Sequence, residues 1–153
     1  MPAIGRKVPA FKAVASGGKT LSLKDFAGTT LVLYFYPKDN TPGCTREAQD
    51  FRDRIDDFRA KGACVVGVSR DSVKSHDGFC SKQNLPFDLI SDADEKLCQA
   101  FDVIRDKNMY GRVVRGIQRS TFVIDGQGVL RAEWRGIKVP GHVDEVLAAV
   151  ESL

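Results

Sequence analysis

The sequence has no C-x-x-C pair, only two histidines, one tryptophan and no long apolar run, and each shortage removes a class of function. Without C-x-x-C there is neither a zinc-ribbon spacing nor a thioredoxin-type dithiol. Four cysteines in 153 residues, at positions 44, 64, 80 and 98, are too few and too unevenly spaced for a secreted disulfide scaffold. His76 and His142 stand alone, with no second histidine or carboxylate at ligand spacing, so both are expected at the surface and no metal is expected. The longest purely apolar run, residues 31–36, falls far short of the roughly 18 residues of a spanning helix, so a soluble, cytoplasmic chain without a signal peptide is expected. Gly126-Gln127-Gly128 lacks both the full glycine pattern and the following helix of a phosphate cradle, so no nucleotide cofactor is expected. The charge excess is slight, 23 Lys+Arg against 20 Asp+Glu, and does not make the basic stripe of a nucleic-acid binder.

What the chain does have is alternation of element types. Residues 31–36, 64–68 and 121–124 are continuous apolar runs, suited to strands buried on both faces of a sheet. Ala48, Phe51, Ile55 and Phe58 recur at helical spacing, with Gly62 as the stop. Further helices are predicted over 72–84, before Pro86, and over 94–103, with a short strand at 87–91 between them. Residues 129–135 alternate, with Leu130, Ala132 and Trp134 on one face. They pair with 121–125 through the Asp125-Gly126-Gln127-Gly128 turn. Val143, Val146, Leu147 and Val150 mark a last helix. The pattern predicts one α/β domain over 1–153, three-layered, with a mixed central sheet and an irregular stretch at 105–118.

The segment richest in chemistry follows the first apolar strand: Pro37-Lys38-Asp39-Asn40-Thr41-Pro42-Gly43-Cys44, running straight into the clearest helix. Cys44 therefore falls in a helical first turn, where unpaired backbone N–H groups and the helix dipole favour an anion. That position, at the carboxyl end of a central strand, is also where open α/β sheets place their sites. Thr41 is close enough for its hydroxyl to turn toward the sulfur, and Pro37 fixes the backbone leaving the strand and shields it from water. Taken alone, the same residues are equally a helix-capping turn with Cys44 as filler.

Pro37, Thr41 and Cys44, with Tyr34-Phe35-Tyr36 before them and Glu47 after, resemble the active-site signature of the peroxiredoxins. Met109-Tyr110-Gly111 and the run from Gly116 to Asp125 are similar to the bacterioferritin comigratory, or Q-type, branch of that family. The resemblance covers almost the whole chain and implies a thioredoxin-like fold and a thiol peroxidase acting on hydrogen peroxide and small organic hydroperoxides. It implies Cys44 as the peroxidatic nucleophile, Thr41 holding the peroxide in line, Arg119 stabilising thiolate and departing oxygen, and Glu47 orienting Arg119. Alone, Arg119 reads as a solvated charge before a strand. No bound cofactor is implied, and recycling falls to thioredoxin or a similar dithiol protein, acting on a monomer.

The sulfur that resolves the oxidised Cys44 is less direct. Many Q-type members carry a second cysteine five residues after the first, where this chain has Gln49. Cys64 lies in an apolar strand and Cys98 beside a helical stripe, both packing positions; an external thiol or a second molecule also remains open. Resemblance to a subset of the Q-type branch favours Cys80, with unwinding expected at the Cys44 turn and in the helix around Gly78, which has few apolar anchors. The segment from Arg105 to Arg119 carries five basic residues against Asp106 alone. It reads as a solvated face, or as a loop that roofs the site, supports the thiolate and greets a partner. Of two rival functions, a dithiol-disulfide oxidoreductase is disfavoured because Thr41 occupies the place where a C-x-x-C pair needs another cysteine, and a non-enzymatic redox sensor or nucleic-acid binding module leaves Thr41 and Arg119 without a purpose.

Overall fold

The computed structural model describes residues 2–153. Its centre is a five-stranded sheet in the order β5-β4-β3-β8-β9. The three apolar runs form its middle: β3 (Thr30–Phe35), β4 (Ala63–Ser69) and β8 (Ser120–Ile124). β5 (Asp88–Ser91) and β9 (Leu130–Arg135) form the edges. β3 pairs parallel with β4 and antiparallel with β8, placing Tyr34 beside both Gly67 and Thr121.

Alternation along these strands divides the apolar residues into two cores. Val32, Tyr34, Val65, Leu89 and Val123 face one layer; Leu31, Leu33, Phe35, Val66, Ile90 and Phe122 face the other. The first layer holds α1 (Pro42–Asp53), α2 (Ile55–Ala60), α3 (Val73–Gln83) and α5 (His142–Glu151). Phe51, Phe58, Phe79 and Val146 are its fully buried anchors. The second layer is thinner, with α4 (Lys96–Ala100), the hairpin β1 (Lys12–Val14) and β2 (Thr20–Ser22), and the roots of a second hairpin. All elements that carry candidate chemistry lie in, or open onto, the first layer.

Several elements differ from expectation. The helix that begins at Pro42 breaks at Arg54, whose ψ of 7° separates α1 from α2. The helix predicted over 94–103 is confined to Lys96–Ala100, because buried Asp92 caps the backbone N–H groups of Leu97 and Cys98 and Asp102 turns left-handed after Phe101. Residues 105–118 are not irregular: β6 (Ile104–Met109) and β7 (Arg112–Ile117) form a hairpin turning at Tyr110-Gly111, both at positive φ. In β9, Leu130 pairs with Ile124 and Ala132 with Val123, so a bulge at Arg131 sends Leu130 into one core and Ala132 and Trp134 into the other. Strict alternation had put all three on one face. Among the described residues no helix is long and apolar enough to cross a membrane.

Candidate active site

β3 delivers the chain to Tyr36, and the next five residues carry it into α1. Asn40 takes a left-handed φ of 62°, after which Thr41 adopts an extended conformation as the N-cap. Pro42 fills the first helical position, where its missing N–H costs nothing, and Cys44 sits in the first turn at 2% exposure. The Thr41 hydroxyl donates to the Lys38 carbonyl at 2.7 Å and does not bond the sulfur.

Arg119 reaches this turn from the short link between β7 and β8. Its Nη2 lies 3.4 Å from Cys44 Sγ and its Nη1 donates to Glu47 Oε1 at 2.7 Å. Glu47 lies one turn beyond Cys44 on the same buried face of α1, so one planar guanidinium spans both side chains. Gly43 is part of this geometry, since a Cβ there would stand 3.1 Å from Arg119 Nη2. Sequence reasoning passed over Gly43; its place between Pro42 and Cys44 was visible, but only the incoming arginine explains it.

The electrostatics of this trio follow from burial. Glu47 is fully buried with Oε2 unpartnered in the protein, and burial, only partly offset by Arg119, pushes its carboxyl up to about 7. Burial lowers Arg119, but Glu47 and Cys44 beside it win and hold the guanidinium above its usual value. A carboxyl raised from its unfolded value contributes stability below about pH 4.5 that is lost as pH rises through about 7. Glu47→Gln should remove that slope: between pH 4.5 and 7 wild type should lose on the order of 3 kcal/mol relative to the variant, measured by denaturant titration at each pH.

The other cysteines are placed differently. Cys80 on α3 is half-buried against the core that contains Cys44, its thiol facing the Phe87 carbonyl at 4.0 Å, and burial pushes that thiol up. Cys98 is fully buried, its thiol raised by burial and then by Asp92. Cys64 is only half-buried, in contrast to the core position expected from its strand, and is likewise raised by burial. All four are free thiols.

Both histidines overturn the surface expectation. His142 is 3% exposed, bonded to Thr121 Oγ1 at 2.8 Å and set edge-on to Trp134; burial, then Arg119, pushes it down to about 4. His76 is fully buried between Asp39 and the Ile90 carbonyl. Their partners lie 21 and 37 positions away in sequence, beyond any local spacing rule. Asp39, Asp71 and His76 converge, with ligand-type atoms within 4.8 Å, but these atoms already bond Tyr36, Ser69, Ser75, Ile90 and one another. The cluster is therefore a hydrogen-bonded node and not an open cation cage.

The basic segment also resolves into particular pairs. Arg115 and Arg70 both bind Glu95, holding its carboxyl down at about 2, and Arg105 pairs with Asp102. Of the five basic residues in that stretch, Arg119 is the one bonded to Cys44. The hairpin tip exposes Met109, Tyr110 and Val113.

Comparison with known proteins identifies the family. Residues 4–133 match the AhpC/TSA family. Peroxiredoxin Bcp of Xanthomonas campestris is 56% identical over 137 residues, covering 90% of this chain and 86% of that one. Peroxiredoxin Bcp of Bacillus subtilis is 47% identical over 150 residues, covering 98% and 96%. Among solved structures, a cysteine-to-serine mutant of Xylella fastidiosa PrxQ superposes with a TM-score of 0.94 at 46% identity, over 99% of this chain and 97% of that one. X. campestris bacterioferritin comigratory protein, in trapped intermediate and ligand complexes bearing on alkyl peroxide reduction, gives 0.89 at 53% identity, over 93% and 90%. X. campestris peroxiredoxin Q has also been solved with serine at one or the other of two cysteines 36 positions apart. By sequence and fold, the chain belongs to the AhpC/TSA family, in its Q-type peroxiredoxin branch.

Proposed function

We propose that this thiol peroxidase reduces hydrogen peroxide and small organic hydroperoxides through Cys44, and that Cys80 then closes an intramolecular disulfide. The observation that carries the reading is the buried guanidinium of Arg119 shared between Cys44 Sγ and Glu47. The Cys44 thiolate attacks the nearer peroxide oxygen, the O–O bond breaks, and the departing oxygen leaves as water or an alcohol after taking a proton. Arg119 offers positive charge first to the thiolate and then to the oxygens being separated. Glu47 holds that guanidinium in the plane where it reaches the sulfur. Thr41, with its hydroxyl proton committed to Lys38, presents its oxygen lone pairs as acceptors for the peroxide proton, and Pro37 walls the turn.

Once α3 opens and relieves the burial that holds the Cys80 thiol protonated, Cys80 gives up its proton and its thiolate attacks the sulfenic acid; an S–S bond forms, the S–O bond breaks, and the departing hydroxide takes a proton and leaves as water. Cys80 lies on the same side of the sheet as Cys44 and 36 positions after it, the separation of the two cysteines singly replaced by serine in the X. campestris protein. A thioredoxin-like dithiol then supplies two electrons to the disulfide. We take the working form to be a cytoplasmic monomer. α3 is better anchored than its sequence promised, with His76 and Phe79 fully buried, so its unwinding is a larger step than Gly78 alone implied.

Peptide mapping of peroxide-treated protein should show a Cys44–Cys80 linkage. In Cys80→Ser, Cys44 should be oxidised by one equivalent of peroxide, yet turnover coupled to thioredoxin should fall on the order of 100-fold or more. A disulfide that persists in Cys80→Ser, or undiminished turnover, overturns the resolving role.

A further inference from the structure

Asp39 lies between Pro37 and Cys44, in the segment that must move if the Cys44 turn opens, yet its side chain is tied to α3. Its Oδ1 accepts the Tyr36 hydroxyl at 2.6 Å; its Oδ2 accepts the Ser75 hydroxyl at 2.8 Å and meets His76 Nδ1 at 2.7 Å. Ser75 and His76 are in the first two turns of α3, the helix that carries Cys80. His76 Nε2 faces the Ile90 carbonyl at 2.9 Å, and a carbonyl only accepts, so that nitrogen carries its own proton. The Nδ1–Oδ2 contact needs a second proton. His76 and Ser75 thus both hold Asp39 to α3, while Tyr36 holds its other carboxylate oxygen. The Asp39 backbone N–H is held as well, by Asp71 Oδ2 at 2.9 Å.

The far end of α3 is tied to the later turns of α1. Arg52 Nη1 donates to the Gln83 carbonyl and Gln49 Nε2 to Gln83 Oε1, both at 2.9 Å. Between these ties the helix has low intrinsic propensity, with the buried Phe79 as its apolar anchor. Ser75, His76, Asp77 and Gly78 are poor helix formers in succession, and a Cβ at Gly78 would meet nothing within 4 Å. Bonds to residues 39, 49 and 52 add to the Ser72 cap and the buried Phe79 in holding α3.

We propose that the Asp39–His76 pair is a latch that makes the opening of the Cys44 turn and of α3 a single event, and thereby sets how often Cys80 meets oxidised Cys44. Displacing residues 39–44 strips Ser75 and His76 of their partner; unwinding α3 strips Asp39 of two of its three side-chain donors. Neither motion leaves the other segment intact. The latch also divides the fate of the sulfenic acid. While it is closed, Cys80 is held away, and a second peroxide molecule converts the sulfenate to sulfinic acid with release of water or alcohol. While it is open, the disulfide forms. Asp39 and His76 act through the two cysteines and touch neither peroxide nor sulfur in this role, which rests on the assignment of Cys80 above.

The test begins on reduced protein without peroxide, so that it stands apart from the identity of the resolving thiol. In Asp39→Asn, amide exchange followed by mass spectrometry should rise about tenfold or more in 42–47 and in 75–83 together, with 31–35 and 120–124 unchanged. Ser75→Ala, which removes one donor of three, should move both segments in the same direction by less, and serves if Asp39→Asn does not fold. A rise confined to one segment, or spread uniformly over the sheet, overturns the latch. With peroxide, Asp39→Asn should raise the dose that converts half of Cys44 to sulfinic acid by about fivefold or more. An unchanged or lower dose overturns its control of resolution, whereas the site of the disulfide is decided separately by peptide mapping.

Discussion

Cys44→Ser should reduce peroxide consumption to the rate of buffer alone, a loss on the order of 10⁴-fold or more. The reason lies as much in the other three cysteines as in Cys44. Cys64, Cys80 and Cys98 all have thiols that burial holds in the protonated form, with Asp92 adding to the effect at Cys98. None has a guanidinium hydrogen-bonded to its sulfur, as Arg119 is to Cys44. A free thiolate is the attacking species, so no spare cysteine takes over. The fold should survive, because serine is nearly isosteric at this 2%-exposed position and Arg119 keeps its bond to Glu47. Stopped-flow peroxide consumption, with circular dichroism to confirm the fold, is the measurement. More than about one per cent of wild-type activity in Cys44→Ser would place the nucleophile elsewhere.

The parts of this molecule that were legible from sequence are those set by local pattern. Continuous apolar runs located β3, β4 and β8, and a strand followed by Thr41-Pro42-Gly43 placed Cys44 in a helical first turn, which the structure shows. What escaped is set by partners far along the chain. His76 looked like a surface residue because its carboxylate lies 37 positions earlier, and His142 because Thr121 lies on another element. Gly43 could not be explained until a guanidinium 76 positions away was in view. Alternation in β9 failed at one bulge, which no period-two count can detect. The charge of the basic stretch was visible from the start, but its division into Glu95-bound, Asp102-bound and sulfur-bound arginines depended on tertiary contacts. Resemblance pointed to Arg119 and Glu47 as a pair; the 2.7 Å bond between them supplies the physical reason.

Arg119→Met should cost on the order of 10²–10³-fold in the rate of Cys44 oxidation, the scale of losing one preorganised donor to developing negative charge. Its effect on folding should be much smaller, and Glu47 is the reason. Removing one member of a buried ion pair is costly when the other stays charged. Glu47, however, already sits at about 7 because burial works against its charge, and without Arg119 the attraction opposing that rise disappears. Its carboxyl then stays protonated at neutral pH, and the buried charge that would have destabilised the fold is never formed. Carbon NMR of the labelled Glu47 carboxyl should show its titration moving above about 7 in the variant. Arg119→Lys separates charge from geometry: one ammonium cannot bond Oε1 at 2.7 Å and Sγ at 3.4 Å as two guanidinium nitrogens do, so the loss should remain about tenfold or greater. If Arg119→Met instead oxidises within about threefold of the wild-type rate, guanidinium support of the reacting oxygens is excluded and the Arg119–Glu47 pair is left with a role in packing alone.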